Sequence, residues 1–199
     1  MPSGAARAAG RVMRGVALAA LAGSGAAVLA LHALRPDLQP WGHRLSEYAN
    51  GPWGWLMVAA FLGMAAGLVA LAVAVAVHRR SGVVPLVVRR GLEFAAVGLL
   101  LSAVFPTGAS PAQEIVHSRA SAVATVTLTV VAVLWSVWSP ASADRDTGQR
   151  AMAAGVAVMA LASPLLHDTP LTGLGQRLLW ALLGMWLAGA AWRLRQTAA

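Results

Sequence analysis

"GWLMVAAFLGMAAGLVALAVAVAV", residues 54–77, runs from end to end without a charged side chain. Roughly 20 apolar residues in a helix cross a hydrocarbon core about 30 Å thick, so this stretch is long enough to span a bilayer. Lipid offers no partner for exposed backbone N–H and C=O groups, and only helices or closed barrels satisfy them internally. A continuous apolar run, unlike the period-two alternation of a barrel strand, reads as helix.

The remainder of the chain repeats the pattern. Of 199 residues, 58% are hydrophobic and only 11% are charged. Apolar runs fall near 12–34, 54–77, 91–105, 118–138, 151–166 and 173–192. The expected fold is therefore an all-α polytopic membrane bundle of six transmembrane helices, a single domain over 1–199. The third and fifth runs are short, and Arg89 and Arg90 are expected to snorkel and extend the third toward the interface. The first run follows Arg7, Arg11 and Arg14. Its apolar stretch exceeds the roughly 7 to 15 residues of a signal peptide and no small-x-small cleavage site follows, so it reads as a span.

Charge sets the expected orientation. The formal charge of +8 comes from arginine alone, because the chain contains no lysine. Arg7, Arg11, Arg14, Arg79, Arg80, Arg89, Arg90, Arg145, Arg150, Arg193 and Arg195 fall on the side of the two termini and the even-numbered loops; only Arg35, Arg44, Arg119 and Arg177 fall opposite. By the positive-inside rule both termini are cytoplasmic and loops one, three and five lie outside. Arginines placed in this way point to a membrane surface and not to nucleic acid. Trp41, Trp53 and Trp55 are expected at the outer interface, and Trp135, Trp138 and Trp192 at the inner one. The arginine- and alanine-rich, lysine-free composition suggests a GC-rich bacterial genome, hence an inner (plasma) membrane location. Cysteine is absent, which excludes disulfides and thiolate metal sites. Gly63 and Gly67 form a GxxxG pair, and Gly15, Ala19 and Gly23 repeat the small-residue spacing in the first run, both read as close helix packing.

The polar residues collect at the end opposite the termini. "HRLSEYANGPWGW", residues 43–55, carries His43, Glu47, Tyr48 and Asn50; loop three brings Thr107, Glu114, His117 and Arg119; loop five brings His167, Asp168 and Arg177. His43 and Glu47 are four apart, and Ser46 is placed to cap a short interfacial helix. Glu114 and His117 are three apart and share one helical face if the fourth helix begins early. Ser121, Thr125 and Thr129 continue along that face, a line read as interhelical hydrogen bonding before a conduit. Glu93 has an ordinary partner in Arg89, and Pro164 marks a kink or a frayed end.

Three motifs in order, "LSEYANGPWGWLMVAAFLGMAAG", "FPTG" with a histidine about ten residues on, and "GLGQRLLW", resemble the bacterial six-helix membrane family catalogued as domain of unknown function nine-nine-eight. The likeness runs from about Trp41 to Trp186. The resemblance implies a fold and a topology but no activity, and its matching positions are Ser46, Glu47, Tyr48, Phe105, Pro106, Thr107, His117, Gly175 and Arg177. The family's third motif often reads Phe-Pro-Thr-Asp; here Gly108 stands in the place of the acid.

The expected function is an outward-facing His/carboxylate pocket over an apolar cavity, acting on or binding a lipid-like or isoprenoid small molecule. Glu47, Glu114, His117 and Asp168 are the catalytic candidates; His43, Tyr48, Trp53, Trp55, Phe105, Thr107 and Arg177 line the substrate site. A carboxylic acid desolvated by Trp53, Trp55 and Phe105 would have a raised pKa and act as general acid, with His117 as partner or base. Aromatic faces would suit acid-initiated isoprenoid cyclisation, and the absence of a DDxxD motif disfavours ionisation by loss of diphosphate. The alternatives are a metal-dependent membrane hydrolase using His43, His117, His167 and a carboxylate, and a non-catalytic scaffold, immunity or assembly factor. No cofactor is expected; the expected partners are membrane lipids and an apolar small molecule, and oligomeric state is left open.

Overall fold

A computed structural model describes residues 4–78, 82–138, 143–167 and 169–194. Asp168, Arg79, Arg80 and Arg195 lie outside them. The described residues form six long helices and no strand: α1 (Gly4–Leu34), α2 (Gly54–His78), α3 (Val83–Val104), α4 (Pro111–Trp138), α5 (Ala143–Ala162) and α6 (Thr172–Arg193). Each packs on its neighbours in the chain, and α6 returns to close against α1. Short 3-10 turns occupy Leu45–Ala49 in the first connection and Ser163–Leu166 after α5. Pro164 lies in the latter, so the kink or fraying expected there is the switch from α-helix to 3-10 turn.

The helices begin earlier than the apolar runs. α3 starts at Val83, and α4 starts at Pro111, whose fixed φ suits a first helical turn. Among the described residues four helices are long and apolar enough to cross a membrane: Gly4–Leu34, Gly54–His78, Pro111–Val137 and Thr147–Leu166. α3 carries Arg89, Arg90 and Glu93 within its length and α6 carries Gln176 and Arg177 in its second turn. Glu93 is held by Arg90 at 2.7 Å and Arg89 at 3.7 Å.

Lipid tails are as apolar as leucine, so helices associate in a membrane through close packing, which small residues allow. α2 meets α1 along Gly63 and Gly67: a Cβ on Gly63 would lie 3.2 Å from the Ala20 carbonyl, and one on Gly67 would lie 3.0 Å from Leu21. Ser24 of α1 donates to the Ala60 carbonyl of α2 at 2.7 Å. The close packing expected of the small residues of α1 is not made within the bundle, since nothing lies within 4 Å of Gly15 or Gly23. The packing stripe of α1 is Ala17, Leu21, Ser24 and Val28 instead. On the outside the bundle presents large apolar side chains such as Leu29, Val104, Val126, Val137 and Leu161. In water so extended an apolar belt would be an aggregation liability; against hydrocarbon it costs nothing.

The hydroxyl line of α4 is consumed by packing. Ser121 meets Ser102 of α3 at 2.9 Å, and Thr129 donates to the Thr125 carbonyl of its own helix at 2.8 Å. One turn before Ser102, a Cβ on Gly98 would lie 2.8 Å from the Ala120 carbonyl. Gly98→Val should therefore lower stability by about 1–3 kcal/mol through overpacking, while Gly15→Ala should be neutral or stabilising. Thermal unfolding in detergent followed by circular dichroism checks the pair; equal melting temperatures would refute the α3–α4 contact.

Candidate functional site

The odd-numbered connections meet at one end of the bundle. In the first, the backbone N–H of Arg44 donates to Glu47 Oε1 at 3.1 Å, tying the start of the 3-10 turn. The cap is thus Arg44 with Glu47, and Ser46 lies inside the turn, contrary to the capping role expected for it. His43 Nδ1 lies 2.9 Å from Glu47 Oε2, as the four-residue spacing implies.

Arg44 reaches across to the third connection. Its Nε lies 3.2 Å from Glu47 Oε1 and its Nη1 lies 3.1 Å from Glu114 Oε1. Glu114 accepts further bonds from the Thr107 hydroxyl, from the Gly108 N–H at 2.9 Å and from the Ser118 hydroxyl at 3.4 Å. Gly108 adopts φ +78°, the left-handed region that glycine enters without penalty, and this conformation carries its N–H to the carboxylate. Thr107 is fully buried beneath.

His117, one turn further along α4, is buried at 4% exposure. Its Nδ1 donates to the carbonyls of Ser102 and Phe105, at 3.1 and 2.9 Å, at the C-terminal end of α3. Phe61 of α2 meets the imidazole edge-on at 5.8 Å between ring centres, and Trp180 of α6 meets Phe61 in the same manner at 5.6 Å.

A second cluster pins the first connection to α6. Gly173 sits so close to this loop that a Cβ would come within 2.3 Å of the His43 carbonyl. Leu174 N–H donates to the Trp41 carbonyl at 3.1 Å, and Gln176 accepts from Leu45 N–H at 2.9 Å. Arg177 donates to the carbonyls of Pro40 at 2.8 Å, His43 at 2.7 Å and Gly173 at 3.0 Å, and through Nε to His32 Nε2 at 2.7 Å. Its guanidinium lies 5.3 Å from the ring centre of Tyr48, a fully buried side chain whose hydroxyl donates to the Leu38 carbonyl.

Glu47, Glu114, His43 and Thr107 are thus brought into one network, while Tyr48 and Arg177 form another on the same loop. Phe105 contributes its carbonyl to His117. Trp53 and Trp55 stand at 46% and 63% exposure and do not cover the carboxylates. Asp168 lies outside the described residues, and His167 is exposed. An apolar groove of about 370 Å³ runs between α1, α2 and α3, lined by Met13, Leu62, Val69 and Leu100 among others, and holds none of these site residues. Among the described residues no three His, Asp or Glu side chains are grouped to hold a metal ion. Residues absent from the sequence-based site are Arg44, which bridges both carboxylates, His32 and Gln176. Only Arg44 left a local signal, its three-residue spacing to Glu47.

The expected raised pKa of the acid is overturned for Glu47. Burial pushes its pKa up, but hydrogen bonds from His43 and from the backbone and side chain of Arg44 together outweigh this and hold it below the ordinary carboxylate value. Glu114 faces the Arg44 guanidinium and three neutral donors. Missing aromatic cover and abundant donors explain the difference.

Apolar helices of membrane-crossing length, joined at one end by an ion-paired polar cap, define a membrane-like helical protein. The chain belongs to the family described as Protein of unknown function (DUF998), which matches residues 15–193. No curated protein and no solved structure matches it.

Because Glu47 binds its proton less readily folded than unfolded, its stabilising effect is complete above the unfolded pKa, about 4.3, and is lost as pH falls through the lower folded value. The melting temperature should hold from pH 7 to 5 and fall below about pH 4. Glu47→Gln should start lower and fall less steeply; an unchanged acid limb would show that this carboxylate is not held as described.

Proposed function

We propose that the chain is a six-span protein of the bacterial inner membrane, with both termini cytoplasmic, that binds a lipid-like small molecule at its outer end. Spans three and six are not among the four helices of membrane-crossing length and composition, but at 22 residues each and 1.5 Å per residue both are long enough to cross a core about 30 Å thick. Arg177 and Arg193 lie near the ends of α6, from which they can snorkel, and in α3 Arg89 and Arg90 both pair with Glu93.

The observation that carries the binding reading is His117. It is buried one turn below Glu114, among Phe61 and Trp180, at the place where α2, α4 and α6 approach one another. Aromatic faces receive an apolar body and the imidazole supplies one polar contact, the composition of a typical small-molecule site. Glu47 and Glu114 act as the frame: Arg44 joins them and so fixes the loop over the site. Proton transfer, where it occurs, falls to His117, because the ionised carboxylates lack the proton that an acid-initiated cyclisation needs. The complete pairing of these carboxylates equally favours a second reading, a non-catalytic scaffold, immunity or assembly factor closed by the same cap.

The absence of cysteine makes topology simple to measure. Gln39→Cys, Ala109→Cys and Leu171→Cys should react with a membrane-impermeant maleimide in intact cells, and Val83→Cys only after lysis. Labelling of Val83→Cys in intact cells would reverse the orientation. Binding is read from mass spectrometry of lipids retained by protein purified in mild detergent. A retained apolar molecule near one per chain, reduced in a folded His117→Gln variant, is the expected result; an equal spectrum of bulk lipids in both would leave the scaffold reading.

A further inference from the structure

Leu62, Ala66, Val69 and Val73 stand exposed along one face of α2. This face is the floor of the apolar groove, whose walls include Met13 of α1 and Leu100 of α3 and whose lining holds no polar residue. From Leu62 to Val73 the floor runs about 17 Å at 1.5 Å per residue, close to half of a hydrocarbon core about 30 Å thick. A transmembrane helix crosses the whole core, whereas an acyl chain belongs to one leaflet and matches this length.

Helix rise also fixes what stands at each end of the groove. α2 ends at His78 and α3 begins at Val83, so residues equally far from that turn lie at equal depth. Leu62 and Leu100 are both about 25 Å from it, and Val73 and Arg89 both about 8 to 9 Å. Arg89, Glu93 and Leu100 are spaced by four and seven residues, which puts them on one face of α3. Arg89 therefore stands where the groove ends toward the turn.

Charge at that end is unbalanced. Residues 79–93 contain four arginines and a single acid, Glu93. Glu93 accepts from Arg90 at 2.7 Å but lies 3.7 Å from Arg89 Nε, a buried nitrogen without a hydrogen-bond partner among the described residues. The Arg90 side chain remains 66% exposed. Arginine forks match phosphate oxygens in geometry as well as charge, and basic residues at a membrane surface attract anionic lipids.

We infer that the groove seats one acyl chain of an anionic phospholipid, from the leaflet beside the α2–α3 turn, with its phosphate at Arg89 and Arg90. This rests on the membrane placement proposed above and not on binding at His117, which lies toward the other end of the bundle.

The test uses the full chain in mild detergent, titrated with dioleoyl phosphatidylglycerol or with phosphatidylcholine of the same chains, and counts bound lipid by native mass spectrometry. Phosphatidylglycerol should bind at one per chain and about thirtyfold more tightly, from about fivefold for each arginine. Arg89→Gln and Arg90→Gln should each remove about fivefold from phosphatidylglycerol alone, and Ala66→Phe, which fills the floor, should weaken both lipids. His117→Gln should change neither, so a failure of the outer site leaves this one standing. Should a variant fail to fold, the two lipids on the unsubstituted protein decide the matter. Equal affinities, or no binding of either lipid, would overturn the inference. Competition by glycerol phosphate without acyl chains would reduce it to an anion site, and a dimer that dissociates in Ala66→Phe would put a second copy of the chain in the groove instead.

Discussion

Arg177 holds together parts of the chain that lie far apart in sequence. From the second turn of α6 it donates to His32 near the end of α1 and to two carbonyls of the following loop, with the Tyr48 ring beside its guanidinium. Nε and Nη1 make these contacts, held in one plane by the guanidinium, while Nη2 has no hydrogen-bond partner among the described residues. The long connection between α1 and α2 would otherwise cost about 1–2 kcal/mol per residue to order. Its carbonyls, turned inward where water is scarce, need such a donor. Gly173 completes the arrangement by omitting a side chain where the loop backbone passes.

The same economy of polar groups explains the other end of that loop. Arg44 lies between two carboxylates, each of which also accepts from a backbone N–H, Glu47 from Arg44 itself and Glu114 from Gly108. Desolvation alone would make Glu47 a weaker acid. At this rim burial is partial and donors are numerous, so the balance favours its anion. The cap is therefore electrostatic in character. At Gly108 the positive φ favours glycine, and a Cβ there would come within 2.9 Å of Asn50 Nδ2.

Apolar runs were legible in the sequence because a helix in lipid must satisfy its backbone within itself, which makes length and hydropathy sufficient signals. Contacts within a helical turn were legible for the same local reason: His43 with Glu47, and Glu93 with Arg89. The glycines of α2 were read correctly and those of α1 were not. Small residues recur on several faces of α1, and only the direction of approach of α2 selects Ala17, Leu21 and Ser24. The early start of α4 was hidden by polar residues that helices accept at their ends, and that of α3 by Pro85 and by Arg89 and Arg90, which interrupt an otherwise apolar run. Trp53 and Trp55 could be recognised as interfacial residues, but their outward direction depends on the turn that precedes α2.

By itself, the sequence determined a helical, cysteine-free protein with apolar segments of membrane-crossing length and its histidines and acids gathered beyond one end. These properties depend on composition and on spacing within a turn or two. Tertiary structure alone decided that Arg44 pairs with Glu114, that Arg177 pairs with His32, and that His117 turns Nδ1 to the end of α3 with its ring against Phe61. Such pairings join residues of different helices, and their distances are set by how the helices cross, which no local pattern records.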